Sequence, residues 1–323
     1  QHVLGLDVAV DEPLLVGVLE AQRRLADVLA RLGEMLASGT TTAEIKSGYG
    51  LDLETELKML RAIRTLAASQ PIDLVPTFMG AHEIPLDYRD RREDYVRLVI
   101  DEMIPAVAAD NLAEWCDVFC ETGVFTPGEA TRILQAGAAR GLKPRIHADE
   151  LAASGGSQVA AAVGARSADH LIFVSDDGIR ALRDADVVAT LLPNAAFYLK
   201  LGRFAPARAL IDAGVPVALA TDVNPGGGFS PSMPFAMTLA CFTMGLTFEE
   251  ALAAATINGA YSLDRAATIG SLETGKLMDA VLVHGDAIEL IRVGAPAIAA
   301  VIKRGTLVYR SSALAPRTSD IEQ

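Results

Sequence analysis

The sequence predicts an α/β fold, a (β/α)8 barrel of the TIM type with a small β-sandwich, and three observations lead to this prediction. Short apolar segments alternate with segments of helical period from about residue 40 to residue 263. Polar residues follow the ends of most predicted strands, as at the functional face of a barrel. No GxGxxG or P-loop motif follows a first predicted strand, as it would in many nucleotide-binding open sheets. An open, doubly wound sheet is the structural alternative.

The predicted elements follow one another in βα order after a helix at residues 14–37. Seven strands are predicted, at residues 41–46, 73–79, 115–120, 144–147, 165–170, 187–192 and 215–221. Helices are predicted between them, at residues 53–69, 94–109, 127–140, 157–163, 176–183 and 203–213, with a last pair at 234–244 and 247–263. A barrel of this type has eight strands. We therefore expect the first barrel strand to be missing or to lie outside the printed chain.

The chain divides into three predicted parts. Residues 1–265 form the catalytic barrel. In residues 266–311, short β segments alternate with glycine turns, which predicts part of a small β-sandwich. Residues 312–323 are polar and are predicted to be a C-terminal tail.

Composition excludes several classes of protein. The net charge of −13 argues against a nucleic-acid partner, because phosphate binding needs clustered lysine and arginine. The three cysteines form no CxxC motif, so neither a disulfide framework nor a structural zinc site is indicated. No apolar run is long enough to span a bilayer. We predict a cytoplasmic protein with no nucleic-acid or membrane partner.

Three polar residues at predicted strand ends indicate a metal site. His147, His170 and Asp222 end or follow the fourth, fifth and seventh predicted strands. Imidazole nitrogen and carboxylate oxygen are common ligands of zinc and iron. We predict that His147 and Asp222 share one ion, with His170 either a third ligand or a neighbour that moves protons. Glu150 is placed to orient a substrate N–H or to move a proton.

Further candidates lie at other strand ends. His82, in MGAHEIP, is predicted to bind a substrate oxygen, and Tyr49, in KSGYG, to reach a ligand with its hydroxyl. The NPGGG segment gives Asn224 and nearby backbone amides close access to a ligand. Lys46 is placed to pair with a carboxylate. No Ser/His/Asp arrangement indicates a covalent nucleophile.

The segments KSGYGLDLETELKML, MGAHEIP, IHADEL, SADHL and ALATDVNPG occur in this order. In this combination the chain resembles the imidazolonepropionase family of the amidohydrolase superfamily, from about residue 39 to residue 309. The resemblance implies a metal-dependent barrel with a small β-sandwich, a homodimer and a small-molecule substrate. The implied reaction is hydrolysis of the cyclic amide C–N bond of 4-imidazolone-5-propanoate to N-formimidoyl-L-glutamate, in histidine degradation.

The resemblance also implies residue roles. His147 and Asp222 match metal ligands for one zinc or iron ion, and His170 matches a residue that helps to activate water, with Glu150 and Asp222 sharing proton transfer. The implied substrate-binding positions are Tyr49, His82, Glu150, Asn224 and Gly226, the last through its backbone.

One feature of the family is missing from the printed sequence. Its members carry an HxH pair at the end of the first barrel strand and an arginine shortly after it, and this sequence contains no HxH. Two other functions stay open, and the missing HxH motivates the second of them. One is a related deaminase acting on a nucleobase or cyclic amidine, and the other is a metal-free barrel with a binding role only.

Overall fold

The computed structural model describes residues 12–312, with side chains from residue 25 onward. The first eleven residues of the predicted barrel domain, and all of the predicted tail except Ser312, lie outside the described residues.

The main sheet contains seven parallel strand positions. They are β1 (Thr42–Lys46), β2 (Asp73–Ala81), β3 (Trp115–Cys120), β4 with β5 (Lys143–Pro144 and Ile146–Ala148), β6 (Ser167–His170), β7 (Val188–Leu191) and β8 (Val217–Leu219). The pieces β4 and β5 both pair with β3 and are separated only by Arg145. The order is β1-β2-β3-β5-β6-β7-β8, so each strand lies beside its predecessor. In a doubly wound sheet, by contrast, the order of the strands reverses at a switch point. The barrel prediction is therefore confirmed.

The sheet is strongly curled. β1 and β6 are four strand positions apart, which would separate them by about 19 Å in a flat sheet. Lys46 Nζ of β1 nevertheless lies 2.6 Å from Asp169 Oδ2 of β6, so the strands bend around a common interior. Within residues 12–312, β1 pairs only with β2 and β8 only with β7. The described barrel is therefore open between β1 and β8.

The helices of the first half mostly match the prediction. They are α1 (Glu12–Ala37), α2 (Leu53–Ala67), α3 (Arg92–Arg97), α4 (Ile104–Ala109), α5 (Pro127–Ala139), α6 (Gly156–Val163) and α7 (Asp176–Asp184), with a 3-10 turn at Leu86–Arg91. The helix predicted at 94–109 contains a π-helical segment, Leu98–Met103. Pro105 lies at the start of α4, and because proline cannot donate to the carbonyl four residues earlier, the helix widens before it.

The second half departs further from the prediction. Its helices are α8 (Pro193–Tyr198), α9 (Ala207–Asp212), α10 (Met233–Met244), α11 (Phe248–Ala255) and α12 (Ile257–Ser262). The sequence pattern did not predict α8. The helix predicted at 247–263 is two helices, because the backbone of Thr256 leaves the helical region (φ −121°, ψ −90°).

A small antiparallel sheet follows the barrel. Its strands are β9 (Ala280–Val283), β10 (Ile298–Lys303) and β11 (Thr306–Arg310), in the order β11-β10-β9, and a short helix α13 (Glu289–Arg292) and a 3-10 turn (Ala295–Ala297) connect β9 to β10. Leu32 and Leu36 of α1 pack with Ile298 and Val301 of β10. The predicted small sheet is confirmed, whereas the boundary at residue 265 stays a prediction. In residues 12–312, no helix combines the length and the apolar character needed to cross a membrane.

Candidate functional site

The interior of the curled sheet is polar. Barrel interiors are usually filled by layers of branched apolar side chains. Here the buried or nearly buried side chains that meet in the interior carry charges or hydroxyls: Glu44, Lys46, Thr77, Asp117, Arg145, Ser167, Asp169 and Thr190. Where two come from one strand they are two residues apart, as expected for side chains on the same face. The floor of the site is therefore a charged network.

Lys46 and Arg145 are the two cations of this network. Lys46 Nζ lies 2.5 Å from Asp117 Oδ2 and 2.6 Å from Asp169 Oδ2. Arg145, whose side chain is 1% exposed, lies with Nε 3.1 Å from Glu44 Oε1 and donates from Nη1 to the Ser262 carbonyl at 2.7 Å. Buried charges need such partners, since an unpaired one costs several kcal/mol.

The pairing sets the protonation of the network. Burial lowers the pKa of Lys46, but the nearby Asp117 and Asp169 carboxylates outweigh it and hold that pKa above its usual value. Burial raises the pKa of Asp169, but Lys46 and Arg145 outweigh it and bring it to about 2. The pKa of Asp117 is also held well below its usual value, against burial, by His147 and Lys46. Both aspartates are therefore carboxylates at neutral pH.

Five rings cross the strand ends in strand order. They lie within two residues of the carboxyl end of a strand, or three residues after it, and belong in strand order to β1, β2, β3, β5 and β6: Tyr49, His82, Phe119, His147 and His170. Successive ring centroids are 5.0, 6.0, 5.8 and 5.2 Å apart. Four of the predicted site residues, together with Phe119, thus lie in one continuous row above the charged network.

Tyr49 and Asp222 follow the two edge strands of the described barrel at the same end. Burial raises the pKa of Tyr49, and the charge of Asp222 raises it further. Because Tyr49 follows β1 and Asp222 follows β8, this coupling spans the opening of the described barrel. The Tyr49 residue is 52% exposed, so it lies at the rim.

His147 lies in the middle of β5 and contacts the network below it. Its Nδ1 lies 3.0 Å from Asp117 Oδ1. Burial lowers the pKa of His147, but the Asp117 carboxylate outweighs this effect and raises it above its usual value. His147 is therefore the point where the charged network meets the row of rings.

His170 and Glu150 face each other. His170 Nδ1 is buried and lies 3.5 Å from Glu150 Oε1, without a hydrogen bond among the described residues. The His170 backbone is left-handed (φ +75°), as are those of Asp149 (φ +51°) and Asp222 (φ +51°). Such conformations are uncommon for residues with a side chain and concentrate at functional sites.

Two buried carboxylates hold the loop that carries Glu150. Glu121 accepts hydrogen bonds from the amides of Thr122 (2.6 Å) and Leu151 (2.8 Å). Asp149 accepts from the amides of Gly155 (2.9 Å) and Ser157 (3.2 Å), where α6 begins without a capping side chain of its own. The loop after β5 is therefore fixed at both ends.

His82 has a defined tautomer. Its Nδ1 lies 2.8 Å from the Gly48 carbonyl oxygen, which can only accept, so Nδ1 carries the proton. Burial and, next, His147 lower the pKa of His82, so the ring is neutral and Nε2 bears a lone pair. This nitrogen can therefore accept a hydrogen bond from a ligand N–H, and the predicted contact of His82 with a substrate oxygen stays a prediction.

The loop after β8 is organised by Asn224. Its Oδ1 accepts from the amides of Gly226 and Gly227, both at 2.7 Å, and its Nδ2 donates to the Asp222 carbonyl at 2.8 Å. A Cβ on Gly228 would lie 1.5 Å from the Asp222 carbonyl oxygen, so only glycine fits there. The Gly226 amide is already bonded, which leaves its carbonyl for a backbone contact.

One group of potential ligands lies within reach of a single ion. The ligand atoms of Asp117, His147 and Asp169 are all within 4.8 Å of one another, which no other group of three His, Cys, Asp or Glu residues achieves in the described chain. The Lys46 ammonium contacts both carboxylates and supplies the positive charge there. The pairing of His147 with Asp222 in one metal site stays a prediction.

The sequence pattern missed Phe119 and every member of the charged network except Lys46, and four of these residues show what the signal was. Asp117, Arg145 and Asp169 are charged residues inside short apolar strands, and Phe119 lies two residues after Asp117 on the same face. The available signal was a charge flanked by apolar neighbours in WCDVFC, KPRIHA and RSADH. In a buried parallel strand such a charge needs a partner on a neighbouring strand.

Comparisons with known proteins identify the family of the chain. The amidohydrolase family model matches residues 26–308. An imidazolonepropionase of Geobacillus kaustophilus is 55% identical over 252 residues, which cover 78% of this chain and 59% of the relative. One of Bacteroides fragilis is 47% identical over 303 residues, 91% of this chain and 72% of the relative. The chain thus spans about three fifths of the first relative's length.

Solved structures show the same fold at low sequence identity. A Xaa-Pro dipeptidase with methionine in its active site superposes with a TM-score of 0.66 at 18% identity, covering 87% of this chain and 78% of that one. A guanine deaminase from C. acetobutylicum with bound guanine gives 0.65 at 16% identity, covering 86% and 74%. From the family match and the curated relatives, the chain belongs to the amidohydrolase family and, within it, to the imidazolonepropionase family.

Proposed function

We propose that this chain hydrolyses the cyclic amide C–N bond of 4-imidazolone-5-propanoate to N-formimidoyl-L-glutamate, a step of histidine degradation. The observation that carries the proposal is the row of Tyr49, His82, His147 and His170 rings at the strand ends, in a chain 47–55% identical to curated imidazolonepropionases. The reaction adds one water, whose oxygen goes to the ring carbonyl carbon while the leaving nitrogen takes a proton.

The amidohydrolase family is metal-dependent, and we infer one zinc or iron ion held by His147 and Asp222. Imidazole and carboxylate donors suit both metals. The Asp117 carboxylate behind His147 fits this role, because ligand imidazoles usually donate their second nitrogen to such an acceptor. When bound, the ion would lower the pKa of a water to about 7 and polarise the carbonyl.

Three residues would handle protons. His170 lies beside His147, with ring centroids 5.2 Å apart, and its Nδ1 is 3.5 Å from Glu150 Oε1. This spacing supports transfer between imidazole and carboxylate once the substrate brings them closer. Asp222 would share this role from the loop after β8, two strand positions from His170.

The remaining candidates would hold the substrate. The neutral His82 Nε2 suits a ring N–H, and the half-exposed Tyr49 hydroxyl suits a carboxylate or carbonyl oxygen. Glu150 would accept from a second substrate N–H. Asn224 would shape the loop so that the Gly226 carbonyl reaches the ligand.

A cytoplasmic location and a homodimer complete the proposal. Cys116, Cys120 and Cys241 are free, as is usual in a reducing compartment. The family resemblance supports the dimer, which size-exclusion chromatography with light scattering would test.

The direct test is turnover by the purified chain. We expect loss of 4-imidazolone-5-propanoate and formation of N-formimidoyl-glutamate after incubation with zinc or iron, and loss of turnover in His170→Gln. Guanine and adenosine serve as alternative substrates, with ammonia release as the signal. Ammonia release without imidazolone hydrolysis would favour the deaminase alternative. Uptake of metal without turnover of any substrate would reject the proposed reaction.

A further inference from the structure

A lysine, a carboxylate and an imidazole form a row across three strands beneath the site. Lys46 Nζ of β1 lies 2.5 Å from Asp117 Oδ2 of β3, and Asp117 Oδ1 lies 3.0 Å from His147 Nδ1 of β5. The Asp117 side chain is fully buried. Each carboxylate oxygen therefore has its own partner, so the carboxylate plane is fixed.

This arrangement determines which nitrogen of His147 carries a proton. An ionised carboxylate only accepts hydrogen bonds, so Nδ1 must donate. In the neutral ring the lone pair then lies on Nε2, which has no protein partner in the part of the chain that the structure describes. A metal-binding imidazole needs such a free lone pair and a fixed ring orientation.

Lys46 also excludes a metal ion from one position, the point between Asp117, His147 and Asp169. Asp117, His147 and Asp169 resemble a three-ligand site, because their ligand atoms lie within 4.8 Å of one another. The ammonium lies between the two carboxylates, at 2.5 and 2.6 Å. A divalent ion at that point would meet the positive charge of Lys46 at close range.

We propose that Asp117, fixed by Lys46, is the positioning residue that presents His147 Nε2 to the metal, and that the ion is not bound between Asp117 and Asp169. This inference rests on the proposed ligand role of His147. It adds a role to two residues that touch neither ion nor substrate. The Lys46 ammonium occupies the position between the two carboxylates, so the metal is held outside the charged network, on the other side of His147.

Asp117→Asn is the informative variant. Asparagine offers one acceptor oxygen, which the Lys46 ammonium would take, so the amide NH2 would face His147 Nδ1. The neutral ring would then carry its proton on Nε2, where it blocks a metal. Asp279→Asn is the matched control, since Asp279 is a buried carboxylate 2.6 Å from Lys303 Nζ and outside the site.

The first readout is the imidazole tautomer in the metal-free chain. Long-range ¹H–¹⁵N spectra of the five histidines, recorded above their pKa values, should show His147 protonated on Nδ1 in wild type and Asp279→Asn, and on Nε2 in Asp117→Asn. If Asp117→Asn fails to fold, the tautomer of His147 in the wild-type spectrum is sufficient to test the proposal. A neutral wild-type His147 protonated on Nε2 overturns the proposal.

The second readout is zinc affinity, measured by competition with a chromophoric chelator. We expect a 10- to 100-fold loss in Asp117→Asn, as for other carboxylates behind metal-binding histidines, and none in Asp279→Asn. Equal losses in both variants, or no zinc uptake by wild type, would overturn the inference. Tighter zinc binding by Lys46→Met would place the ion between the carboxylates and overturn it as well. Zinc uptake through His147 without imidazolone turnover would contradict the proposed reaction but not the positioning role of Asp117.

Discussion

Removing the Lys46 ammonium should destabilise the chain in a pH-dependent way. In Lys46→Met, Asp117 and Asp169 lose the cation that lies 2.5 and 2.6 Å from them. Their side chains are 0% and 4% exposed, so water cannot replace it. Breaking a buried pair by removing one partner costs about 3–5 kcal/mol. We expect a loss of this size in the free energy of unfolding at pH 7.

The pH dependence follows from the direction of each pKa. In wild type the pKa of Asp169 is about 2, against 3.8 for the free side chain. At about 1.4 kcal/mol per pKa unit, this carboxylate contributes about 2 kcal/mol that is present above pH 4 and lost as the pH falls towards 2. Without Lys46, burial is opposed only by His147 at Asp117 and by Arg145 at Asp169, so the pKa of both aspartates rises from its wild-type value. The loss of unfolding free energy caused by the substitution should therefore shrink as the pH falls and the carboxyls take up protons.

Urea unfolding followed by circular dichroism at pH 7 and pH 4.5 measures both effects. Lys303→Met is the control, because Lys303 Nζ also lies between two carboxylates, 2.6 Å from Asp279 and 2.7 Å from Asp73. The Asp73 side chain is 34% exposed and can be solvated, so a smaller loss is expected. The reasoning would be refuted if Lys46→Met lowered the free energy of unfolding at pH 7 by less than about 1 kcal/mol. It would also be refuted if the loss were larger at pH 4.5 than at pH 7.

Three further predictions concern the loops at the strand ends. Gly48→Ala places a Cβ 2.9 Å from the Met79 carbonyl at φ +109°, so the melting temperature should fall by an amount equivalent to about 1–3 kcal/mol; an unchanged melting temperature would contradict this. Glu121→Ala leaves the Leu151 amide without its acceptor, so hydrogen exchange should accelerate in the loop after β5 but not in β8. Asp222→Asn should lower the pKa of Tyr49 while burial keeps it above its usual value, as measured by ultraviolet titration of the phenolate; no change would mean that the charge of Asp222 does not act on Tyr49.

The order of helices and strands could be predicted because each of them is recognised from a pattern of neighbouring residues. Apolar strands and helical periods repeat along the chain, and parallel strands joined by helices can follow one another around a barrel. The strands at 165–170 and 187–192 were found in this way, although β6 and β7 are only four residues long. The helix α8 was missed because its six residues, PNAAFY, are too few for a period.

The site was only partly predictable. Histidines at strand ends stand out, and the structure brings His82, His147 and His170 into one row. The interior charges could not be paired from sequence, because Lys46 and Asp169 are 123 residues apart. Their contact depends on the curl of the sheet, which is a property of all the strands together.

The charged network also has a structural consequence for the open edge. In the described residues β1 has a strand partner on one side only, so backbone hydrogen bonds do not hold it to β8. Glu44 and Lys46 of β1 instead reach across the interior to Arg145 beside β5 and to Asp169 of β6. These ion pairs connect the edge strand to the middle of the sheet. The interactions that position His147 are thus among those that keep the strand ends curled around a common point, and loss of Lys46 should affect both.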